Sequence, residues 1–153
     1  RPGGLRPDRG RRMSADATPA ERLAAFLART PYIAFLGMRA ELAGDEMTAI
    51  LPFSPHLIGN TMLPALHGGV LGAFMEMTAL AQLAVITGGP RPAKTIDVTI
   101  DYLRPGRAMD TYARAEIKKA GRRISSVHVE AWQEARAKPV AAIRGHFQTP
   151  TEG

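Results

Sequence analysis

Gly68-Gly69-Val70-Leu71-Gly72-Ala73-Phe74-Met75-Glu76-Met77-Thr78-Ala79-Leu80-Ala81-Gln82-Leu83-Ala84-Val85-Ile86-Thr87 is the stretch on which the fold turns. Val70, Leu71, Phe74, Met75, Met77, Leu80, Leu83, Val85 and Ile86 surround a helix axis instead of lining one stripe. A helix apolar on nearly every face sits in a protein core or in a membrane. Its length approaches a membrane span, and from Met47 to Pro90 the only formally charged residue is Glu76. Yet Glu76, Thr78, Gln82 and several glycines interrupt it, and its flanks alternate like strands. It reads as a core helix, with no membrane partner.

Beyond Gly88-Gly89-Pro90 the hydrophobic period changes from helical to two. In Thr95–Leu103, Ile96, Val98, Ile100 and Tyr102 are expected to face inward, with Thr95, Asp97, Thr99 and Asp101 on the wet side. Thr111–Ala120 places Thr111, Ala113, Ala115 and Ile117 on one face. Gly121 turns the chain into Ile124–Glu134, with Val127, Val129 and Ala131 inward. Pro139–Gln148 closes with Ala141, Ile143 and Phe147. Before the long helix, Thr18-Pro19-Ala20-Glu21 marks a helix start, and Leu23, Phe26 and Leu27 give it an apolar stripe that Pro31 is expected to end. Leu36–Leu42 and Glu46–Pro52 read as strands around Gly44-Asp45, and Ser54–Leu66 as a loop. Consecutive strands with short turns predict an antiparallel sheet. The expected class is α+β, with about six antiparallel strands wrapped around one long central helix and a short helix at the N-terminus.

The composition suits such a domain. The chain has 153 residues, 45% hydrophobic and 22% charged, which allows one respectable core. Its lack of cysteine excludes disulfides, thiolate metal sites and a cysteine nucleophile. A formal charge of +6 invites a nucleic-acid reading. However, residues 1–12 hold five arginines against one acid, and the rest of the chain is ordinarily charged. We expect residues 1–17 to be a disordered Arg-rich tail, with Met13 as a plausible start, and 18–150 to be one domain. Nucleic acid is not an expected partner. No secretory h-region follows the tail, and a cytoplasmic location is expected.

Two features carry chemistry. Glu76 sits alone in an apolar helix, and a carboxylate drawn out of water becomes more basic, which suits a general base or a water-activating group. It could equally reach solvent or a subunit interface and do no chemistry. His67-Gly68-Gly69 marks the point where loop becomes helix. Backbone N–H groups there are unpaired and lie at the positive end of the helix dipole, where they can polarise a carbonyl. Glu76 follows His67 by nine residues, so one helix carries an oxyanion donor and a carboxylate, the parts acyl transfer needs.

Asn60…His67-Gly68-Gly69-Val70…Glu76, followed by Thr95-Ile-Asp-Val-Thr-Ile-Asp-Tyr-Leu-Arg-Pro-Gly106, resembles the hotdog-fold acyl-CoA thioesterases of the phenylacetate-degradation type, in the 4-hydroxybenzoyl-CoA thioesterase superfamily. The likeness runs over roughly Leu36–Gln148. It implies a hotdog fold, a homodimer or homotetramer with sites at the subunit interface, and hydrolysis of an acyl-CoA to a carboxylic acid and free CoA. No cofactor is implied beyond the CoA of the substrate, and no metal. The resemblance gives Gly68 the oxyanion contact, Glu76 the activation of water or direct attack, His67 the shaping of the oxyanion end, and Thr95 a place near the catalytic water. Asn60 or Thr61 fills an upstream polar position. For the CoA phosphates, Arg122 and Arg123 at the Gly121 turn and the Gly69 backbone are the expected contacts, with Lys118, Lys119, Arg104 and Arg107 as further cations.

Two other functions fit the same fold. One is an acyl-thioester dehydratase or hydratase with His56 as a partner base, although the dehydratase His-Phe-Pro-Gly run is missing. The other is a non-catalytic acyl-CoA binder. His128 and His146 lie on strands and read as structural.

Overall fold

The computed structural model describes residues 17–87 and 91–149. The expected tail therefore lies outside the described residues, apart from Ala17. Helix α1, Pro19–Ala28, begins as expected: Thr18 Oγ1 accepts the Glu21 N–H at 3.2 Å, and Pro19 occupies the first turn. Pro31 does not end the helical region. It opens a second short helix, α2, Pro31–Leu36, because proline fits the first helical position as readily as it stops a helix. Ile33 and Leu36 are buried on its inner side. Gly37, at φ 76°, then takes the left-handed conformation that closes the helix. The strand expected from Leu36 accordingly starts three residues later.

Strands β1, Arg39–Ala43, and β2, Glu46–Leu51, form a hairpin around Gly44-Asp45. The segment expected to be a loop holds a 3-10 turn, Pro55–Leu57, and a small hairpin of β3, Ile58–Asn60, with β4, Ala65–Leu66. The central helix α3 spans Gly68–Thr87. Four strands follow: β5, Lys94–Tyr102; β6, Thr111–Ala120; β7, Ile124–Trp132; and β8, Ala141–Gln148. The six long strands form one antiparallel sheet in the order β1-β2-β6-β7-β8-β5. This is the expected hotdog arrangement.

The core lies between α3 and the sheet. Leu71, Phe74, Met75, Ala79 and Leu83 are buried with Ala113, Val127, Val129, Ile143 and Phe147. Each large side chain removed from water contributes about 1.5–3 kcal/mol. Gln82 is also buried and fully engaged: its Oε1 accepts the Met47 N–H at 3.0 Å and its Nε2 donates to the Asp45 carbonyl at 2.8 Å. One polar side chain thus ties α3 to the first hairpin. The sheet does not cover α3 alone. α1 packs on it, and the Arg22 guanidinium donates to the Val85 and Ile86 carbonyls at 3.1 and 3.3 Å, at the negative end of the helix dipole. α3 has the length and mean hydropathy of a membrane span; here it is the core helix. Its remaining flank, with Val70, Ala73, Met77, Leu80 and Ala84, is only partly buried.

The alternation expected in β5 fails at one residue. The β5–β8 register shifts between Thr95 and Asp97, where Thr95 pairs with Phe147 and Asp97 with His146. Ile96 is the extra residue of this bulge and is 51% exposed instead of inward. An extra residue reverses the phase of everything before it. Thr95 therefore joins Val98 and Ile100 on the helix side.

Candidate active site

The start of α3 is fixed by its neighbours. His67 precedes the first helical residue, and its Nδ1 accepts the Gly69 N–H at 2.9 Å, acting as an N-cap. The Val70 and Leu71 N–H groups reach the His67 carbonyl. The Gly68 N–H has no partner among the described residues. Of the first N–H groups, it alone is left for a ligand, and Gly69, expected to contact phosphate, is already committed to His67. The Gly68 carbonyl accepts a hydrogen bond from the Tyr102 hydroxyl at 2.8 Å. A Cβ on Gly72 would lie 2.8 Å from Ile100 Cδ1, so the missing side chain lets β5 lie close against this turn of α3.

A pocket of about 310 Å³ opens beside Gly68, between Leu66, Leu71, Tyr102 and Pro105. Tyr102 lines this pocket, although the sequence reading placed it among core positions. Its ring stands at the end of an apolar alternation, and nothing local separates a core ring from one at the pocket rim.

Two turns further along α3, Glu76 is half-buried, not enclosed. Thr95 Oγ1 donates to its Oε1 at 3.2 Å. The second carboxylate oxygen has no partner among the described residues. Thr95 thus orients one oxygen and leaves the other to a water. Gly68 and Glu76 both lie on the β5 side of α3, yet eight residues of helix separate them by about 12 Å. A hydrogen bond to a carbonyl oxygen and a contact with its carbon together span far less. A carbonyl held by the Gly68 N–H is therefore out of direct contact with the Glu76 carboxylate of the same protomer.

The other candidates are placed elsewhere. Asn60 is exposed on β3, and its Oδ1 accepts the Met62 and Leu63 N–H groups at 2.9 and 3.3 Å, holding the turn before β4. Thr61 is exposed in the same turn. His56 does not enter a pocket: Nδ1 faces Ser54 Oγ at 2.8 Å and Nε2 faces the Phe35 carbonyl at 3.0 Å. Both nitrogens face protein groups, and His56 does not line the pocket at Gly68. His146 pairs with Asp97 at 2.9 Å on the outer face of the sheet. Arg122 and Arg123 are exposed at the β6–β7 turn, at the end of the sheet where β5 begins. Among the described residues no group of three His, Asp or Glu side chains is placed to hold a metal.

Comparison with known proteins bears on the family and the fold. The model of the thioesterase superfamily matches residues 63–140, from the turn before α3 to the start of β8. The medium/long-chain acyl-CoA thioesterase YigI of Escherichia coli is 30% identical over 124 residues, which cover 71% of this chain and 79% of the relative. A Chromobacterium violaceum protein of known crystal structure is 35% identical, with a TM-score of 0.70 over 88% of this chain and 93% of its own. A phenylacetic acid degradation-related protein from Ralstonia eutropha superposes with a TM-score of 0.73 over 84% of this chain and 99% of its own; at 17% identity it supports the fold alone. The family match spans the helix and three of the four strands that follow it, and a relative named a thioesterase is 30% identical over 71% of the chain, so the chain belongs to the thioesterase superfamily.

Proposed function

We propose that this protein hydrolyses acyl-CoA thioesters to a carboxylic acid and free CoA, in a homodimer whose two sites each use both subunits. The observation that carries the reading is the unpaired Gly68 N–H together with a Thr95-oriented Glu76, on one face of one helix. The substrate class follows from the relative named an acyl-CoA thioesterase. The acyl chain would be medium or long, as that name describes for the relative.

The separation of about 12 Å favours a site completed by a second copy. Among the described residues β5 pairs with β8 alone, and no other strand lies on its second edge. Ile96 and Leu103 near its ends are exposed at 51% and 52%. An open apolar edge of this kind is a template for pairing with another chain. Two β5 strands pairing antiparallel about a two-fold axis bring the Thr95 end of one beside the Tyr102 end of the other. Glu76 lies at the first end and Gly68 at the second, so one copy's carboxylate meets its partner's helix N-terminus. A tetramer would stack two such dimers.

In each composite site the thioester carbonyl oxygen accepts the Gly68 N–H. Glu76 removes a proton from water, whose oxygen adds to the carbonyl carbon. The resulting oxyanion is held at the positive end of α3. Collapse breaks the carbon–sulfur bond, and the CoA thiolate leaves and is protonated. Tyr102 holds the Gly68–Gly69 peptide, next to the one that carries the Gly68 N–H, through its bond to the Gly68 carbonyl. Asn60 shapes the turn that delivers His67, and His67 caps the helix. CoA esters are made in the cytoplasm, where we place the reaction.

The test is release of free thiol from acyl-CoAs of graded chain length and with aryl groups, by wild type beside Glu76→Gln. Turnover by wild type that is lost in the variant supports the proposal. Equal turnover by both removes Glu76 from the mechanism.

A further inference from the structure

A second cavity adjoins the pocket at Gly68. It has a volume of about 500 Å³ and lies between the segment after β5 and the β7–β8 connection, with Arg104, Arg107, Gln133, Glu134 and Lys138 in its walls. Arg104 and Pro105 line both spaces. A ligand whose carbonyl rests at Gly68 can therefore continue into it along one protomer.

The walls are held in place before any ligand arrives. Gln133 is buried and grips the Arg107 peptide from both sides: its Oε1 accepts the Arg107 N–H at 3.0 Å and its Nε2 donates to the Arg107 carbonyl at 2.9 Å. The Arg104 guanidinium donates to the Pro139 carbonyl at 2.6 Å, and the Leu103 and Arg104 N–H groups both reach the Val140 carbonyl. Arg104 is thus a tie between the two segments. The cations left to face the cavity are Arg107 and Lys138. Arg107 has only a 3.7 Å contact with Glu134, with both side chains more than 70% exposed. Such a pair contributes little and yields to a better anion.

We infer that this cavity receives the phosphate groups of the CoA ester, with Arg107 and Lys138 as the residues that contact them; the inference rests on the thioesterase reading above. A guanidinium fork and a lysine point charge on a rigid backbone are the groups that recognise phosphate. Within one protomer Arg122 and Arg123, the cations expected in this role, line neither space, and the paired variants below separate their contribution from that of Arg107 and Lys138.

The test uses the full chain with Arg107→Gln and Lys138→Gln together, beside Arg122→Gln with Arg123→Gln. Each protein is assayed on decanoyl-CoA and on decanoyl-pantetheine, which has the same thioester without the nucleotide phosphates. Losing two charge-assisted contacts should raise KM for decanoyl-CoA about tenfold or more in the first variant, with kcat unchanged. Neither constant should move for decanoyl-pantetheine. An unchanged KM for decanoyl-CoA overturns the inference, as does an equal loss on both substrates or a loss confined to the Arg122/Arg123 variant. If wild type cleaves neither ester, the thioesterase reading fails, and calorimetry with CoA alone decides the cavity. Binding to wild type that weakens in the Arg107/Lys138 variant supports it, and no binding to wild type overturns it.

Discussion

Thr95 Oγ1 reaches Glu76 Oε1 at 3.2 Å because the β5–β8 register shifts at Ile96. Without the bulge, strict alternation would aim Thr95 at the outer face with Asp97, and the carboxylate would lose this hydroxyl. The bulge re-aims one hydroxyl at one carboxylate, a recurrent use of bulges beside active sites. Its cost is an isoleucine left exposed.

The first prediction follows from that contact. Glu76→Gln should lower kcat by about 100-fold or more, the usual range for a lost general base. Thr95→Ala should lower kcat less, by about tenfold, since it removes one hydrogen bond that orients the base. Thr95→Ser should restore most of the loss, because the hydroxyl is retained. Steady-state thiol release with all three variants checks this. A Thr95→Ala protein with unaltered kcat would mean that the contact is incidental.

The helix cap gives a second prediction. His67→Ala frees the Gly69 N–H and should cost about 1 kcal/mol of stability, the usual value for losing an N-cap. His67→Asn supplies another capping acceptor and should recover most of it. Urea denaturation of the three proteins measures the difference. If His67 instead takes part in the chemistry, Asn will rescue stability while kcat stays low.

Gln82 supports a third. Gln82→Leu leaves the Met47 N–H and the Asp45 carbonyl without their partner on α3. The expected loss is about 1–3 kcal/mol, from the buried Met47 N–H, since the Asp45 carbonyl lies on an exposed residue; kcat should be unchanged because the site lies elsewhere on α3. Urea midpoints together with thiol release at saturating substrate separate the two effects.

The legibility of this protein was uneven for physical reasons. The limits of α3 and β6 match the sequence reading, because an all-round apolar helix opened by two glycines and a clean two-residue period have few competing solutions. α2 was not legible. Six residues carry too little periodicity, and Pro31 serves as well to open a helix as to end one. The bulge was hidden because Ile96 continues an apolar alternation that its backbone does not follow. Glu76 and Gly68 were found from residue type and position. The sequence reading set both on one helix as parts of one site; the distance between them became a constraint only once α3 was seen to be one continuous helix. Arg107 and Lys138 come together through the Gln133 clamp and the Arg104–Pro139 tie, contacts between segments far apart in the chain that no local pattern signals.

The last prediction tests the composite site directly. Gly68→Pro removes the N–H proposed to hold the oxyanion, at a first helical position where proline is well tolerated. Gly68→Ala, which keeps the N–H, controls for crowding against Tyr102, whose ring would lie 3.3 Å from the new Cβ. Glu76→Gln and Gly68→Pro should each be nearly inactive alone. A heterodimer of the two has one site with both defects and one site with none. Random mixing by co-expression or by refolding should therefore restore about a quarter of wild-type activity, since half of the dimers are mixed and each has one intact site. Mixing intact dimers without subunit exchange should restore nothing. If each site were built within one protomer, no mixture would contain an intact site and activity would stay at the level of the separate variants. Recovery in the exchanged sample alone would show that the carboxylate of one copy serves the helix N-terminus of the other.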